Sequence, residues 1–598
     1  MIAWHLGLVS LGSLVLVLAI VWYVRRENNR EYAQMQLNAP LLQAPLGALN
    51  REQVAAKEAE LGFNKCPACC FENFKRVSFC NVCGEPLGDD AEKRTRKLKT
   101  PNTLSGRRLR ASKRKEWVRK IDIEGNSFWY RDNSQSSNNA SDAKFPGFVV
   151  SFSVNKDGQI PVTNKNKEGK TAALIKEVES AQLELTESTK ADASHSPFGE
   201  RLDSETHERD VLDESRLDFP SKYAVFVAKS AATLAPTRRQ LVKLNITRNF
   251  ALEQSFEHLS CMDTRYARAD LTIKYTKEPS AATSNLQREW FIQLNELLGN
   301  SNTGLFTPVD KAEQTFYFNR HSRVAVSEDH LTFYYSAGRL LGRGLLMGNM
   351  WGFHLATPLL KIILGLPVSF TDLEFFDPEE YKNLDWLVKN NGAESLSLDF
   401  SVTEKVNGEV VVVDLIPNGR NIPVTDANKL EYLERRFKYV LFESVQSQLY
   451  AFLKGIYEVV PQELLMFFDP EEFDYVLCGS DVIDAVEWEL HSKYNETIHG
   501  HPSKKWFWKF VREMPLEYKR RLLHFTTGNT RVPIGGFAAL TNYNGRLSPF
   551  TIVGKELVIS RAIRAQPCFN QMELPIYVHQ KEFKSNFFGI LDNYNYSQ

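Results

Sequence analysis

Cys568 stands alone between two apolar runs, Leu557-Val558-Ile559 and Met572-Glu573-Leu574-Pro575. A thiol on a connection whose flanks are packed can be reached by a reactant, and its thiolate is a nucleophile for carbonyl and thioester carbons. The same residue can equally be a small buried hydrophobe, which is what most lone cysteines are. Four more cysteines form two CxxC pairs, Cys66-Pro67-Ala68-Cys69 and Cys80-Asn81-Val82-Cys83. Four sulfurs from two such knuckles make a tetrahedral set suited to structural Zn2+. Cys70 is a bystander beside them, and Cys261, Cys478 and Cys568 lie far apart. That distribution reads as one metal site plus free thiols in a reducing compartment rather than a disulfide framework.

The elements that must position these thiols fall into several domains, as 598 residues allow. Lys plus Arg and Asp plus Glu balance at 73 each, so no global charge argues for a nucleic-acid partner. Residues 2–24 are almost entirely apolar and are followed at once by Arg25-Arg26. They read as a single-pass membrane anchor with the rest of the chain facing the cytosol; a cleaved signal peptide would want a charged segment before the run and small residues at its end. Residues 25–61 read as a polar stalk and 62–88 as the zinc ribbon. Residues 89–116, rich in Lys and Arg, read as a solvated basic linker, and they could also lie against anionic headgroups. In 117–163, alternating residues from Trp117 to Tyr130 surround a Glu124-Gly125 turn, and 148–154 with 160–162 suggest a second hairpin. Residues 164–217 lose hydrophobicity and read as a flexible linker. Beyond them helical-period apolar segments dominate, with Asp377-Pro378-Glu379-Glu380 and Asp469-Pro470-Glu471-Glu472 supplying N-cap, first-turn proline and favourable charge.

The ribbon's internal spacing, with Asn73 between Cys69 and Cys80, resembles the Ran-binding-protein type of zinc ribbon. Some members of that type bind ubiquitin and others single-stranded RNA. The resemblance to the ubiquitin-binding branch implies Phe71 and Val82 as contacts for ubiquitin; a purely structural ribbon is the other reading. Trp117, Gly125, Phe128-Trp129 and Asn133 are similar in spacing to the front half of a WW domain, without its second tryptophan.

Pro567-Cys568-Phe569-Asn570 followed by Met572-Glu573-Leu574-Pro575-Ile576-Tyr577 resembles the active-site segment of the HECT ubiquitin-protein ligases. The likeness continues upstream through Arg288-Glu289-Trp290-Phe291, Gly338-Arg339-Leu340-Leu341-Gly342, Asn418-Gly419-Arg420-Asn421-Ile422-Pro423-Val424-Thr425, Cys478-Gly479, Phe525-Thr526-Thr527-Gly528 and Arg531-Val532-Pro533-Ile534-Gly535-Gly536-Phe537, in the family's order. It implies an α+β, bilobal fold: a mostly helical N-lobe at 218–541, a hinge at 542–545, and a small α/β C-lobe at 546–598. It implies that Cys568 accepts ubiquitin from a conjugating enzyme as a thioester and passes it to substrate lysines, with no cofactor for catalysis. Gln566, Pro567, Phe569 and Asn570 are then its active-site neighbours; the family usually has His-Thr where Gln566-Pro567 stand. The conjugating enzyme is expected on a subdomain at 428–510, with Tyr432 as a contact. The reading is thus a membrane-anchored ubiquitin ligase. A catalytically weak, membrane-anchored ubiquitin-binding scaffold is the alternative, and a nucleic-acid binder fits the charge balance less well.

Overall fold

Two glycines let the central helices of the molecule touch backbone to backbone. A Cβ on Gly338 would strike the Phe452 carbonyl oxygen, and one on Gly455 would strike that of Tyr335. The helices His330–Met347 and Gln446–Val459 therefore pack closely and are buried along most of their lengths. Around them a large aromatic and aliphatic core gathers residues from Ala55 to Cys478, together with Ile534. The computed structural model describes residues 51–87, 103–132, 145–154, 167–198, 205–237, 240–276, 286–310, 314–406, 408–542, 547–556 and 562–593. The apolar run 2–24, read as a membrane anchor, lies outside these residues. Among the described residues no helix is long and apolar enough to cross a membrane.

A second core runs from Ile483 to Leu591 and includes Trp488, Phe507, Phe550, Met572 and Phe587. Its sheet has the order Lys493–Tyr494, Thr551–Lys555, Gln571–Pro575, Arg564–Gln566, with only the last pairing antiparallel. The chain passes from the first core to the second just after Cys478. Gly479 (φ 76°) makes that passage, and a Cβ there would meet Met350 Sδ and the Val532 oxygen at 2.6 Å each. This corrects the expected lobe boundary. Most of residues 483–541, assigned to the N-lobe, contribute to the second core, Ile534 excepted, because the short strand Lys493–Tyr494 pairs with Thr551–Lys555 and Trp488 stacks on Phe537 at 4.8 Å. The expected subdomain 428–510 is divided by the same boundary, and residues 543–545 of the expected hinge at 542–545 lie outside the described residues.

The N-terminal region is far more integrated than its composition implies. Residues 51–60, the end of the expected stalk, are the helix Arg51–Glu60; Ala55 is buried and Arg51 donates to the Leu346 carbonyl at 3.1 Å. The expected basic linker contains the helix Thr103–Lys113. Several of the linker's charges are paired rather than solvated: Arg110 meets Glu471 at 2.6 Å, Lys113 meets Glu374 at 3.2 Å, and Arg114, just past the helix, pairs with buried Asp469. The hairpin at Trp117–Ile121 and Ser127–Arg131 forms, with Trp129 buried under the Arg119 guanidinium. The strand Phe148–Val154, expected to pair with 160–162, pairs instead with Ala181–Glu187. The expected flexible linker 164–217 thus holds a strand and the helices Lys167–Ser180 and Glu205–Ser215. Among its described side chains the helix Lys167–Ser180 buries Leu174 and Val178 alone, and it ties down through Glu177, which takes bonds from Tyr450 and Lys454 at 2.7 Å each. One narrow apolar stripe and polar anchors suffice for a helix lying on a large domain, and such a segment has the composition of a linker.

Both Asp-Pro-Glu-Glu segments start helices. Asp377 caps Pro378–Lys389 through the Glu380 amide (3.0 Å), and Asp469 caps Pro470–Cys478 through the Glu472 amide (2.9 Å). In the second, Lys222 reaches Glu472 at 2.8 Å with both side chains buried. Buried charges are tolerable only when paired in this way.

Candidate active site

Cys568 lies on a single 3-10 turn, Pro567–Phe569, between the antiparallel strands Arg564–Gln566 and Gln571–Pro575. Pro567 opens the turn, where its fixed φ fits and its missing N–H leaves no bond unmade. Asn570 closes it at φ 51°, a left-handed conformation that asparagine tolerates better than most residues. Its side chain is fully buried and donates to the Thr541 and Ser548 carbonyls at 3.0 and 2.8 Å. Ser548 Oγ donates to the Phe569 carbonyl at 3.2 Å. The turn is therefore rigidly held from behind, while Gln566, Pro567, Cys568 and Phe569 remain half-exposed.

Two charges from the first core bear on the thiol. Arg288 and Glu289 open the helix Leu286–Gly299. Burial pushes the Cys568 thiol above its ordinary value; Glu289 adds to this and Arg288 opposes it. Arg288 donates to the Thr541 carbonyl and, at 3.0 Å, to that of Thr527, the last residue of the helix Leu516–Thr527. A cation at a helix C-terminus is favourably placed. Burial pulls this guanidinium down to about 10, so it stays charged at neutral pH. Glu289 pairs with Arg248 at 2.6 Å. In the sequence these residues were visible only as part of a matching motif; their nearness to Cys568 depends on how the two cores dock.

Tyr432 does not present itself as a docking contact. It is 6% exposed and packs edge-on against Phe400 at 5.5 Å. Exposed apolar side chains of neighbouring segments include Trp386 (47%), Leu396, Leu430, Val410, Val411 and Val412. A sequence signal existed for Trp386: the buried residues of Pro378–Lys389 are Tyr381, Leu384, Leu387 and Val388, and Trp386 falls off that stripe.

The four ribbon sulfurs come together as spaced for a metal. Cys66 and Cys83 Sγ are 3.5 Å apart, Cys69 and Cys80 Sγ 3.6 Å, and all four lie within 4.8 Å of one another. Zinc–sulfur bonds of about 2.3 Å in a tetrahedron put sulfurs roughly 3.8 Å apart, so the donor set fits Zn2+. Phe71 and Val82 are corrected as ubiquitin contacts, being 0% and 3% exposed. Phe71 packs on Phe219 at 5.2 Å and takes the Arg114 guanidinium at 5.3 Å on its face, and Phe74 packs on Phe219 at 5.5 Å. The ribbon spends its apolar face on the first core.

Comparison with known proteins agrees with this geometry. A HECT-domain (ubiquitin-transferase) family model matches residues 292–591. The chain is 34% identical over 383 residues to the E3 ubiquitin-protein ligase TOM1-like of Neurospora crassa, covering 63% of this chain and 9% of that one. It is 32% identical over 371 residues to pub1 of Schizosaccharomyces pombe (62% and 48%) and 35% identical over 366 residues to human HECW1 (60% and 22%), both named E3 ubiquitin-protein ligases. The chain thus spans less than half the length of each of these relatives. With half of its length matched, including the turn that bears Cys568, the chain belongs to the HECT-domain (ubiquitin-transferase) family.

Proposed function

We propose that this protein is a ubiquitin-protein ligase that carries ubiquitin as a thioester on Cys568. The observation that carries the reading is the half-exposed Cys568 on a turn buttressed by Asn570 within a HECT-family segment. In the first step the Cys568 thiolate attacks the carbonyl of the ubiquitin thioester on the conjugating enzyme, and that enzyme's thiolate leaves. Such an exchange is close to isoenergetic, so positioning is the protein's main contribution. In the second, a neutral lysine amine attacks the new thioester, the Cys568 thiolate leaves, and the amine's proton passes to a base. Glu289, whose charge bears on the thiol, is the carboxylate we assign to that role.

The conjugating enzyme would dock on the exposed apolar side chains Trp386, Leu396 and Leu430, with Tyr432 packed within the same region. Zn2+ held by Cys66, Cys69, Cys80 and Cys83 would be structural, fixing the ribbon against the first core. Residues 2–24 would anchor the ligase in a membrane with this domain in the cytosol, so that its substrates are encountered there.

The test is to incubate the full chain with activating enzyme, a panel of conjugating enzymes, ATP and ubiquitin, and to resolve products with and without reductant. A reductant-sensitive adduct that disappears in Cys568→Ala is expected. Absence of any adduct across the panel would leave the ubiquitin-binding scaffold as the better account.

A further inference from the structure

A cavity of about 570 Å3 lies where the basic helix Thr103–Lys113 meets both cores. Its charge is unbalanced. One carboxylate, Asp481, is shared by Arg531 (2.9 Å), His354 Nε2 (3.4 Å), Arg520 (3.6 Å) and Arg107 (3.9 Å). His354 also gives its Nδ1 to Asp474 at 2.8 Å, so both ring nitrogens face carboxylates and the ring is held as a cation. Four positive groups thus face two negative ones. The other ionic side chains of the lining bring partners of their own: Arg110 has Glu471 at 2.6 Å, and Glu296 has His524 at 3.2 Å. Even with Glu296 counted unmatched, positive charge remains in excess.

We propose that this cavity is a binding site for a small, multiply charged phosphate anion. Arginine forks match phosphate oxygens two at a time, and Arg107 and Arg520 stay partly exposed, so an anion can reach them from solution. The volume lies within the range of small-molecule sites. A dianion supplies the charge that Asp481 alone does not, and burial strengthens its attraction to the cluster. Asp481 itself is held well below the carboxylate range, against burial, by Arg531, His354 and Arg107. The cluster draws on three parts of the chain. Arg107 comes from the N-terminal helix, His354 from the first core, and Arg520 and Arg531 from the second. An anion bound to all three fixes the lobes in this arrangement, so it acts as a ligand-dependent brace across the passage at Gly479.

Phosphate groups of this kind come free in solution or on lipid headgroups. Thermal unfolding of the full chain would be followed with inorganic pyrophosphate, with myo-inositol hexakisphosphate, and with vesicles containing phosphatidylinositol 4,5-bisphosphate, each against sodium chloride at matched ionic strength. A saturable rise in Tm with the soluble anions places the source in solution; a rise with the vesicles alone places it on lipid. In Arg520→Gln the apparent affinity should fall about tenfold, the loss of one charge-assisted contact, while Arg512→Gln, on the surface beside Glu489, should leave it unchanged. Arg107→Gln is the second variant, and Arg520→Lys, which keeps charge but not the fork, should bind with intermediate affinity. No saturable shift with any probe, or equal shifts in the wild type and Arg520→Gln, would overturn the proposal.

Discussion

Arg288 and Asn570 donate to the same oxygen, the carbonyl of Thr541. One comes from the first core and the other sits two residues after Cys568, so the cysteine turn is registered against the N-lobe through a single backbone atom. Arg288 adds the Thr527 carbonyl to this grip. In this arrangement the charges at the opening of the helix Leu286–Gly299, Arg288 and Glu289, become part of the thiol's environment.

Loss of either donor should therefore be felt at the cysteine. Arg288→Ala or Asn570→Ala leaves a buried carbonyl short of a partner, a cost of about 1–3 kcal/mol. Ubiquitin transfer through Cys568 should slow by roughly ten- to a hundredfold in single-turnover assays, and unchanged rates in both variants would show that this docked arrangement is not the reactive one.

The thiol's reactivity should follow pH in a defined direction. With its pKa raised by burial and by Glu289, Cys568 is mainly protonated at neutral pH, and alkylation by iodoacetamide should increase as pH climbs through a midpoint above that of a free cysteine. Glu289→Gln should move the midpoint down, and Arg288→Gln should move it up. Mass-spectrometric quantification of modified Cys568 across pH reads both signs, and a shift of both variants in one direction would contradict the assignment. If Glu289 also takes the lysine proton, Glu289→Gln should form the thioester normally but discharge it to lysine more slowly.

The ribbon should be a metal-dependent part of the fold. One zinc per chain is expected by elemental analysis, from the four-sulfur set. Chelation should release the residues that Phe71 and Phe74 hold on Phe219, making residues 62–87 sensitive to protease while the remainder resists. Phe219→Ala, which empties the centre of that aromatic group, should destabilise the junction by about 3–5 kcal/mol, measurable as a lowered Tm.

Docking of the conjugating enzyme should depend on surface rather than buried aromatics. Trp386→Ala should raise the concentration of conjugating enzyme needed for half-maximal transfer by about tenfold, as expected of an aromatic anchor. Tyr432→Phe, which keeps the packing on Phe400, should change it little. The reverse result would restore Tyr432 as the contact.

The comparison of sequence with structure divides along the range of the interactions involved. Features set by neighbouring residues were legible. The two CxxC knuckles gather their sulfurs, the Asp377 and Asp469 caps start their helices, and the turn at Gly125 joins its hairpin. Each depends on a short stretch whose spacing fixes the geometry. The reactive turn was legible as well, because Pro567-Cys568-Phe569-Asn570 carries its own conformational instructions in a first-turn proline and a left-handed asparagine.

What the sequence could not settle was which partner each surface would choose. A Lys- and Arg-rich stretch has the same composition whether water or Glu471 and Asp469 receive its charges. A polar segment reads as a linker whether or not Val154 has Ala181 to pair with. The lobe boundary moved to Gly479 because a two-residue strand, too short to register in any periodicity, completes a sheet with Thr551–Lys555. The resemblance to ubiquitin-binding ribbons implies Phe71 and Val82 as a recognition surface; only the folded chain shows both buried, with Phe71 packed on Phe219. The sequence by itself determined the chemistry available, a lone thiol and a four-sulfur site. Tertiary structure decided the electrostatic setting of that thiol and the sharing of Asp481 among four cations, because both depend on contacts between residues that are distant in the chain.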